Sequence, residues 1–409
     1  MGKSSSSLFE FLDNSPTPFH VVSSVTTHLL QNGFVEQSSL SDELASKGFF
    51  VRDGAVIAWR QGAQKAPLRI IGAHTDSPNL RIQPQPDIKT AGWSQLGIEI
   101  YGGVLLNSWL DRDLGLAGRA IFKDGTSELF NETTAVARVP QLAIHLDREV
   151  NERGVQMDKH QHTVPVWGTN APTFGEWLGQ KMGRTDIAFY DAHLYDITPA
   201  TYLGVDTSLI ASGRLDNQLS CWAALEALTS SDSELNVIVV LNDHEEVGSE
   251  SITGAAGPML ESLVDALLHA QGVSQMERHD LLAASWCLSA DNAHAVHPNY
   301  QERHDPRHGP RVNGGPALKL NGNQRYATTS KGAAHIRGIA DAVEAPLQVF
   351  VSRNNMPCGS TIGPITSTRL GIEAIDIGVP QLSMHSAREL CGAQDPDYLV
   401  TLMTGFLSR

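Results

Sequence analysis

The side chains best able to bind a metal or move a proton stand at the ends of short apolar runs. His74 and Asp76 follow Leu68–Ala73, Glu245 and Glu246 follow Val237–Leu241, Asp291 follows Ala284–Ser289, and His385 ends the run Pro380–Met384. Asp216 opens a helical pattern after the turn Ser212-Gly213. Imidazole nitrogen and carboxylate oxygen together suit zinc, a borderline ion that accepts both. In an extended His74-Thr75-Asp76, the carboxylate can accept the second imidazole N–H and fix the tautomer. Side chains of an extended Glu245-Glu246 point apart, so one can bind metal while the other faces substrate as a base. Taken singly, each piece is bland: a lone His after a strand is more often a hydrogen-bonded structural residue, and a Glu-Glu pair is usually a solvated surface. The argument rests on the whole constellation.

These residues converge only if the runs before them are neighbouring strands. Leu68–Ala73, Val237–Leu241, Ala284–Ser289, Leu347–Val351 and Ile372–Ile377 read as buried strands. Helical patterns cover Asp216–Leu228, Met259–His269 and Lys331–Val343, and a last one opens near Pro396 and runs to Phe406. Strands alternating with helices predict an α/β fold, a mostly parallel sheet flanked by helices. Ligands of such sheets bind beyond the carboxyl ends of the strands, where these side chains stand. From about Ile82 to Val205 the pattern changes to short strands punctuated by Gly and Pro, among them Gly97–Leu106, Ala117–Phe122 and Ala137–Leu146. We therefore expect a β-rich unit over 82–205, inserted into an α/β unit made of 1–81 and 206–409.

Bulk properties narrow the partners. The chain has 409 residues, 41% of them hydrophobic, and a formal net charge of −15 from 30 basic and 45 acidic residues. So acidic a surface repels nucleic acid and anionic membrane. Cys221, Cys287, Cys358 and Cys391 form no CxxC pair and suggest reduced thiols in a reducing compartment. No apolar run is long enough for a membrane span, and the N-terminal stretch lacks a signal peptide's apolar segment, so a cytoplasmic location is expected. Met1-Gly2 with Ser6 matches the short myristoylation pattern, but Ser4–Ser7 reads more simply as a loose terminus.

The segments Gly72–Pro78 (GAHTDSP), Gly213–Asn217 (GRLDN), Asp243–Ser249 (DHEEVGS) and Ser289–Tyr300 (SADNAHAVHPNY) resemble the aspartyl aminopeptidase family. So do Pro357–Pro364 (PCGSTIGP), Met384–Ser386 (MHS) and Phe11–His20, and the match runs in order from near residue 8 to near residue 403. The resemblance implies a zinc-exopeptidase-like catalytic domain with an inserted dimerisation domain, assembled from dimers into a tetrahedral dodecamer. It implies two zinc ions per chain, replaceable by manganese or cobalt. Asp216 would bridge them, His74 and Asp291 would complete one ion's ligands, and Glu246 and His385 the other's. Glu245 would be the general base, with Asp76 beside it in the catalytic set. His145, His294, Lys319 and Tyr326 match positions that contact substrate, His145 from a neighbouring subunit. Two positions depart from the family pattern: Asn355 stands where Asp is common, and Gly102–Leu106 (GGVLL) is less glycine-rich.

Other candidates read plainly. Cys358 lacks a nucleophile's signature and fits a structural thiol. Gly254–Gly257 lacks the Lys-Ser/Thr of a phosphate loop and fits a helix-entry turn. His160 and His162 fit a surface loop. The expectation is thus a zinc aminopeptidase removing single N-terminal residues, by preference acidic ones, from peptides. Its rivals are another two-metal amidohydrolase, such as a deacylase or carboxypeptidase, and a catalytically silent assembly or cargo protein.

Overall fold

The computed structural model describes residues 3–40 and 43–409. Met1 and Gly2, on which the myristoylation pattern depends, lie outside them. Four strands of buried, largely aliphatic residues set the frame: Asn236–Asn242, Leu68–His74, Trp286–Ala290 and Glu373–Gly378 lie side by side and parallel. Near-continuous apolar runs are what a strand covered on both faces requires. Strand alternation sorts the side chains between two cores. Val237, Val239 and Leu241 join the core under helices Lys3–Asn14, Pro18–Gln31, Leu215–Ser230, Ser330–Ala342 and Asp395–Leu407. Ile238 and Val240 join the opposite core under Met259–Ala270 and Gln275–Ala283. Antiparallel joins add Ala55–Arg60 and Lys47–Arg52 on one side and Ala317–Leu320 on the other, and the parallel edge strands Val35–Glu36 and Gln348–Val351 complete a sheet of nine. The parallel centre agrees with expectation; the antiparallel flanks were not foreseen.

A second, six-stranded antiparallel sheet is built from Asn79–Thr90, Trp93–Tyr101, Leu114–Phe122, Ser127–Ala137, Val166–Gly168 and Ile187–Asp196. Several of its strands are long rather than short, the first spanning 12 residues. Ala137–Leu146 is not a continuous strand: the ladder ends at Ala137, Arg138 and Val139 add single bridges to Val166 and Leu110, and Leu142–Leu146 is exposed, because its apolar side chains find no core. A third sheet of five short strands orders Thr201–Leu203, Leu209–Ser212, Glu389–Gly392, Pro380–Leu382 and Ala293–His294. The serine run is not loose either. It lies in helix Lys3–Asn14, whose Leu8 and Leu12 are fully buried, so core contact outweighs the weak helix preference of serine.

Candidate metal centre and active site

His74 is the last residue of its strand, and Asp291 directly follows strand Trp286–Ala290. Both therefore stand at the carboxyl edge of the parallel sheet. Glu245 and Glu246 lie just beyond Asn242. Their segment is not extended as expected: His244 has left-handed φ (+62°) and turns the chain into a 3₁₀ turn over Glu245–Val247. The turn still separates the two carboxylates. Asp216 and His385 come from the small third sheet, Asp216 after strand Leu209–Ser212 and His385 after strand Pro380–Leu382. Asp216 precedes the regular part of its helix, with φ −84° and ψ 107°.

The side chains meet around Asp216. His74 Nε2 lies 3.6 Å from Asp216 Oδ1 and 3.8 Å from Asp291 Oδ1. On the other side, His385 Nε2 lies 3.5 Å from Asp216 Oδ2 and 3.4 Å from Glu246 Oε1. Nitrogen and oxygen ligands on one tetrahedral zinc are about 3.3 Å apart, given bonds of about 2.0–2.1 Å. His74, Asp216 and Glu246 each offer a ligand atom within 4.8 Å of the others. Asp216 Oδ1 and Glu246 Oε1 are buried with no hydrogen-bond partner. Buried carboxylate oxygens left so are costly unless a cation meets them, so the residues fit a metal.

The electrostatics agree. Burial opposes charge on His385, but the carboxylates of Asp216 and Glu246 outweigh it and raise the ring's pKa to about 10. His74 is likewise pushed well up despite its burial, by the neighbouring carboxylates of Asp216, Asp291 and Asp76. The cluster is thus a strong field for positive charge. Burial, with Asp291, Asp76 and Asp216 nearby, raises the Glu245 carboxyl to about 7.

Each imidazole is oriented from behind. His74 Nδ1 is 3.0 Å from the Asp76 backbone carbonyl and 3.3 Å from its Oδ1, so the expected carboxylate contact is shared with main chain. His385 Nδ1 faces the carbonyl of Gly103 at 3.1 Å. Both contacts leave Nε2 free to face the centre. The Asp76 carboxylate also accepts from the backbone N–H groups of Glu245 and Glu246, each at 3.1 Å, and from the Tyr101 hydroxyl at 2.8 Å. Tyr101 ends a strand of the six-stranded sheet and was missed in the sequence. Gly102 follows it at φ +73°, where an added Cβ would sit 3.1 Å from the Glu246 Cβ. Glu389 was missed as well. Fully enclosed, it accepts from the backbone N–H groups of Asp216 and His385. Only its position five residues after Met384 marks it in the sequence.

Lys319 and Tyr326 gather beside Asp291. The Lys319 ammonium, 3% exposed, donates to Asp291 Oδ2 at 3.2 Å and lies 5.2 Å from the Tyr326 ring centre. His294 packs edge-on to Phe350, as does Tyr326, and burial with the Lys319 charge lowers its pKa. His145 does not join them: it lies in the exposed segment Leu142–Leu146 and makes no hydrogen bond or ion pair to the centre within its own chain. Asn355 is exposed in a turn, Cys358 is half-buried against Tyr326, and His160 and His162 are exposed.

Comparison with known proteins gives the family. Residues 11–407 match the family model described as aminopeptidase I zinc metalloprotease (M18). This chain belongs to the M18 aminopeptidases. It is 47% identical over 416 residues to the probable M18 family aminopeptidase 2 of Streptomyces coelicolor, covering 98% of this chain and 96% of that one. A protein of the same description from Pseudomonas putida is 44% identical over 419 residues, with the same coverage. Among solved structures, one of an Ape4 and Nbr1 complex superposes with a TM-score of 0.93 at 32% identity, covering 99% of this chain and 85% of that one. The S. cerevisiae mApe1 dodecamer superposes with a TM-score of 0.85 at 29% identity, covering 99% and 96%. As an M18 member, the chain is a zinc metallo-exopeptidase. Among the described residues, no helix is long and apolar enough to cross a membrane.

Proposed function

We propose that this M18 aminopeptidase holds two zinc ions, shares Asp216 between them, and releases single acidic residues from peptide N-termini. The observation that supports it best is the pair of clusters on the two oxygens of one carboxylate, His74 with Asp291 on Oδ1 and His385 with Glu246 on Oδ2. Bound zinc supplies Lewis acidity, making a water acidic near neutral pH and steadying negative charge on the scissile carbonyl oxygen. Glu245, whose Oε2 lies 3.9 Å from His74 Nε2, is placed to act as general base and then acid, taking a proton from the attacking water and giving it to the leaving amine. Asp76 holds His74 on one side and the Glu245-Glu246 turn on the other, so it positions base and ligands together.

Selection for acidic residues falls to Lys319. A carboxylate drawn into a closed pocket needs a paired cation. An ammonium carries three N–H donors, and the bond to Asp291 uses one. His294 and Tyr326 flank that ammonium and contact the substrate residue. His145 reaches the substrate of a neighbouring subunit, within a dodecamer built from dimers through the unit 82–205, as suggested by the mApe1 dodecamer and by exposed Leu142, Ile144 and Leu146. The test is a panel of aminoacyl and peptide substrates on zinc-loaded protein. Cleavage of Asp and Glu ahead of Leu and Ala, and none of an N-acetylated peptide, is expected. Cleavage of the acetylated peptide favours a deacylase or carboxypeptidase instead.

A further inference from the structure

Two of the proposed ligands leave the small third sheet from neighbouring tracks. Strand Leu209–Ser212 runs on through Gly213, Arg214 and Leu215 to Asp216, and strand Pro380–Leu382 runs on through Ser383 and Met384 to His385. Strand Glu389–Gly392 lies between them and pairs antiparallel with both. Glu389, its first residue, is 2% exposed. Its Oε2 accepts from the Asp216 N–H at 2.9 Å and its Oε1 from the His385 N–H at 2.7 Å, while the Gln381 amide braces Oε1 at 3.3 Å.

Both segments need such a brace. Arg214, Ser383 and His385 have left-handed φ of 60°, 58° and 67°, a conformation that L residues rarely adopt and that persists only where surroundings impose it. At these turns the two N–H groups face inward and have no strand partner. A carboxylate answers both, because it is an acceptor at each oxygen and never a donor. Further contacts secure each turn from outside: Ser77 donates to the Asp216 carbonyl at 2.6 Å, and the Leu105 N–H to the His385 carbonyl at 2.9 Å. Among the described residues, Glu389 alone grips both.

We propose that Glu389 is a positioning residue for the metal centre, fixing the backbones of Asp216 and His385 relative to each other so that their side chains are spaced for metal before any ion arrives. This rests on the reading of Asp216 and His385 as ligands. Glu389 touches neither substrate nor reacting atoms. It acts as outer partners of metal ligands do, by setting where the ligands stand.

The test is zinc binding by the full chain, measured by chelator competition and equilibrium dialysis. Glu389→Gln keeps one acceptor but turns an amide N–H₂ toward one of the two backbone donors. The folded variant is expected to bind zinc about 10–100-fold more weakly, as losing an outer partner does elsewhere, with occupancy falling below two ions at limiting zinc. Glu389→Asp keeps the charge on a shorter arm and should recover part of the affinity. Asp395→Asn is the control. Asp395 is a fully buried carboxylate gripping the N–H groups of Asn313 and Gly315, which are not ligands. It should lose thermal stability and keep parent zinc affinity. Parent affinity and stoichiometry in folded Glu389→Gln overturn the proposal. If that variant does not fold, parent affinity in Glu389→Asp overturns it. A parent protein binding fewer than two ions, or two ions retained by His385→Ala, overturns the ligand reading itself and this inference with it.

Discussion

Glu245 and Glu246 are adjacent, share a turn and are both acidic, yet they should fail differently when changed. The Glu245 carboxylate makes no hydrogen bond among the described residues, and its backbone N–H, not its side chain, ties it to Asp76 at 3.1 Å. Glu245→Gln therefore removes a proton acceptor from a side chain about one-sixth exposed, 17%, without undoing the turn. General acid–base groups contribute roughly 10²–10⁴-fold, which is about 2.7–5.4 kcal/mol of barrier. Turnover should fall by that factor, while zinc content and the metal-free thermal midpoint stay at the parent's values. Glu246 lies 3.4 Å from His385 Nε2, and its Oε1 is an orphaned buried oxygen. Glu246→Gln should lose about one zinc ion per chain as well as turnover. Initial rates beside zinc content by atomic absorption, on matched preparations of the three proteins, make the comparison. Loss of metal by Glu245→Gln, or retention of more than roughly a tenth of parent turnover, refutes the assignment, since a positioned base is worth more than that.

Other consequences are independent of that pair. Lys319→Ala should cut cleavage of Asp and Glu substrates more than of Leu and Ala substrates; an equal loss across all four places Lys319 in support of Asp291 alone. Mixing inactive Glu245→Gln chains with inactive His145→Ala chains under conditions of proven subunit exchange should restore activity, and failure to do so removes His145 from its neighbour's site. Acid stability should depend on His193, which is buried with Nδ1 on the Asn79 side chain and Nε2 without a partner. Burial, with Arg81 nearby, lowers its pKa from 6.5 to about 3. A depressed histidine is neutral in the fold while the unfolded chain takes up a proton, so its contribution is intact above 6.5 and is lost as pH falls toward 3. Between pH 7 and 5 this amounts to about 2 kcal/mol. In denaturant unfolding, His193→Gln should be costly at pH 7 and less so at pH 5 by that amount; a difference independent of pH refutes the argument.

The candidate site was legible in the chain because its donors stand beside recognisable strands. Apolar runs such as Val237–Leu241 announce burial on two faces, and a polar residue that ends such a run must lie at the sheet's edge. His74, Asp291 and the Glu245-Glu246 pair were found in that way, and the motifs around them carried the family. What the sequence could not convey was the company kept by backbone groups. The 3₁₀ turn at Glu245 follows from a left-handed residue at His244 and from the Asp76 carboxylate that binds both following N–H groups, a partnership spanning much of the catalytic unit. Ala137–Leu146 reads as a strand by composition but finds no strand partner beyond the single bridges at Arg138 and Val139, since pairing depends on a neighbour rather than on propensity. Ser4–Ser7 reads as loose until Leu8 and Leu12 reach the core. Tyr101 and Glu389 carry no signal of their own, because each acts through a residue distant in sequence. The residue types fixed which ions and protons this chain can handle; only tertiary packing decided which oxygens face them, because a carboxylate's role is set by the donors that the fold brings within about 3 Å of it.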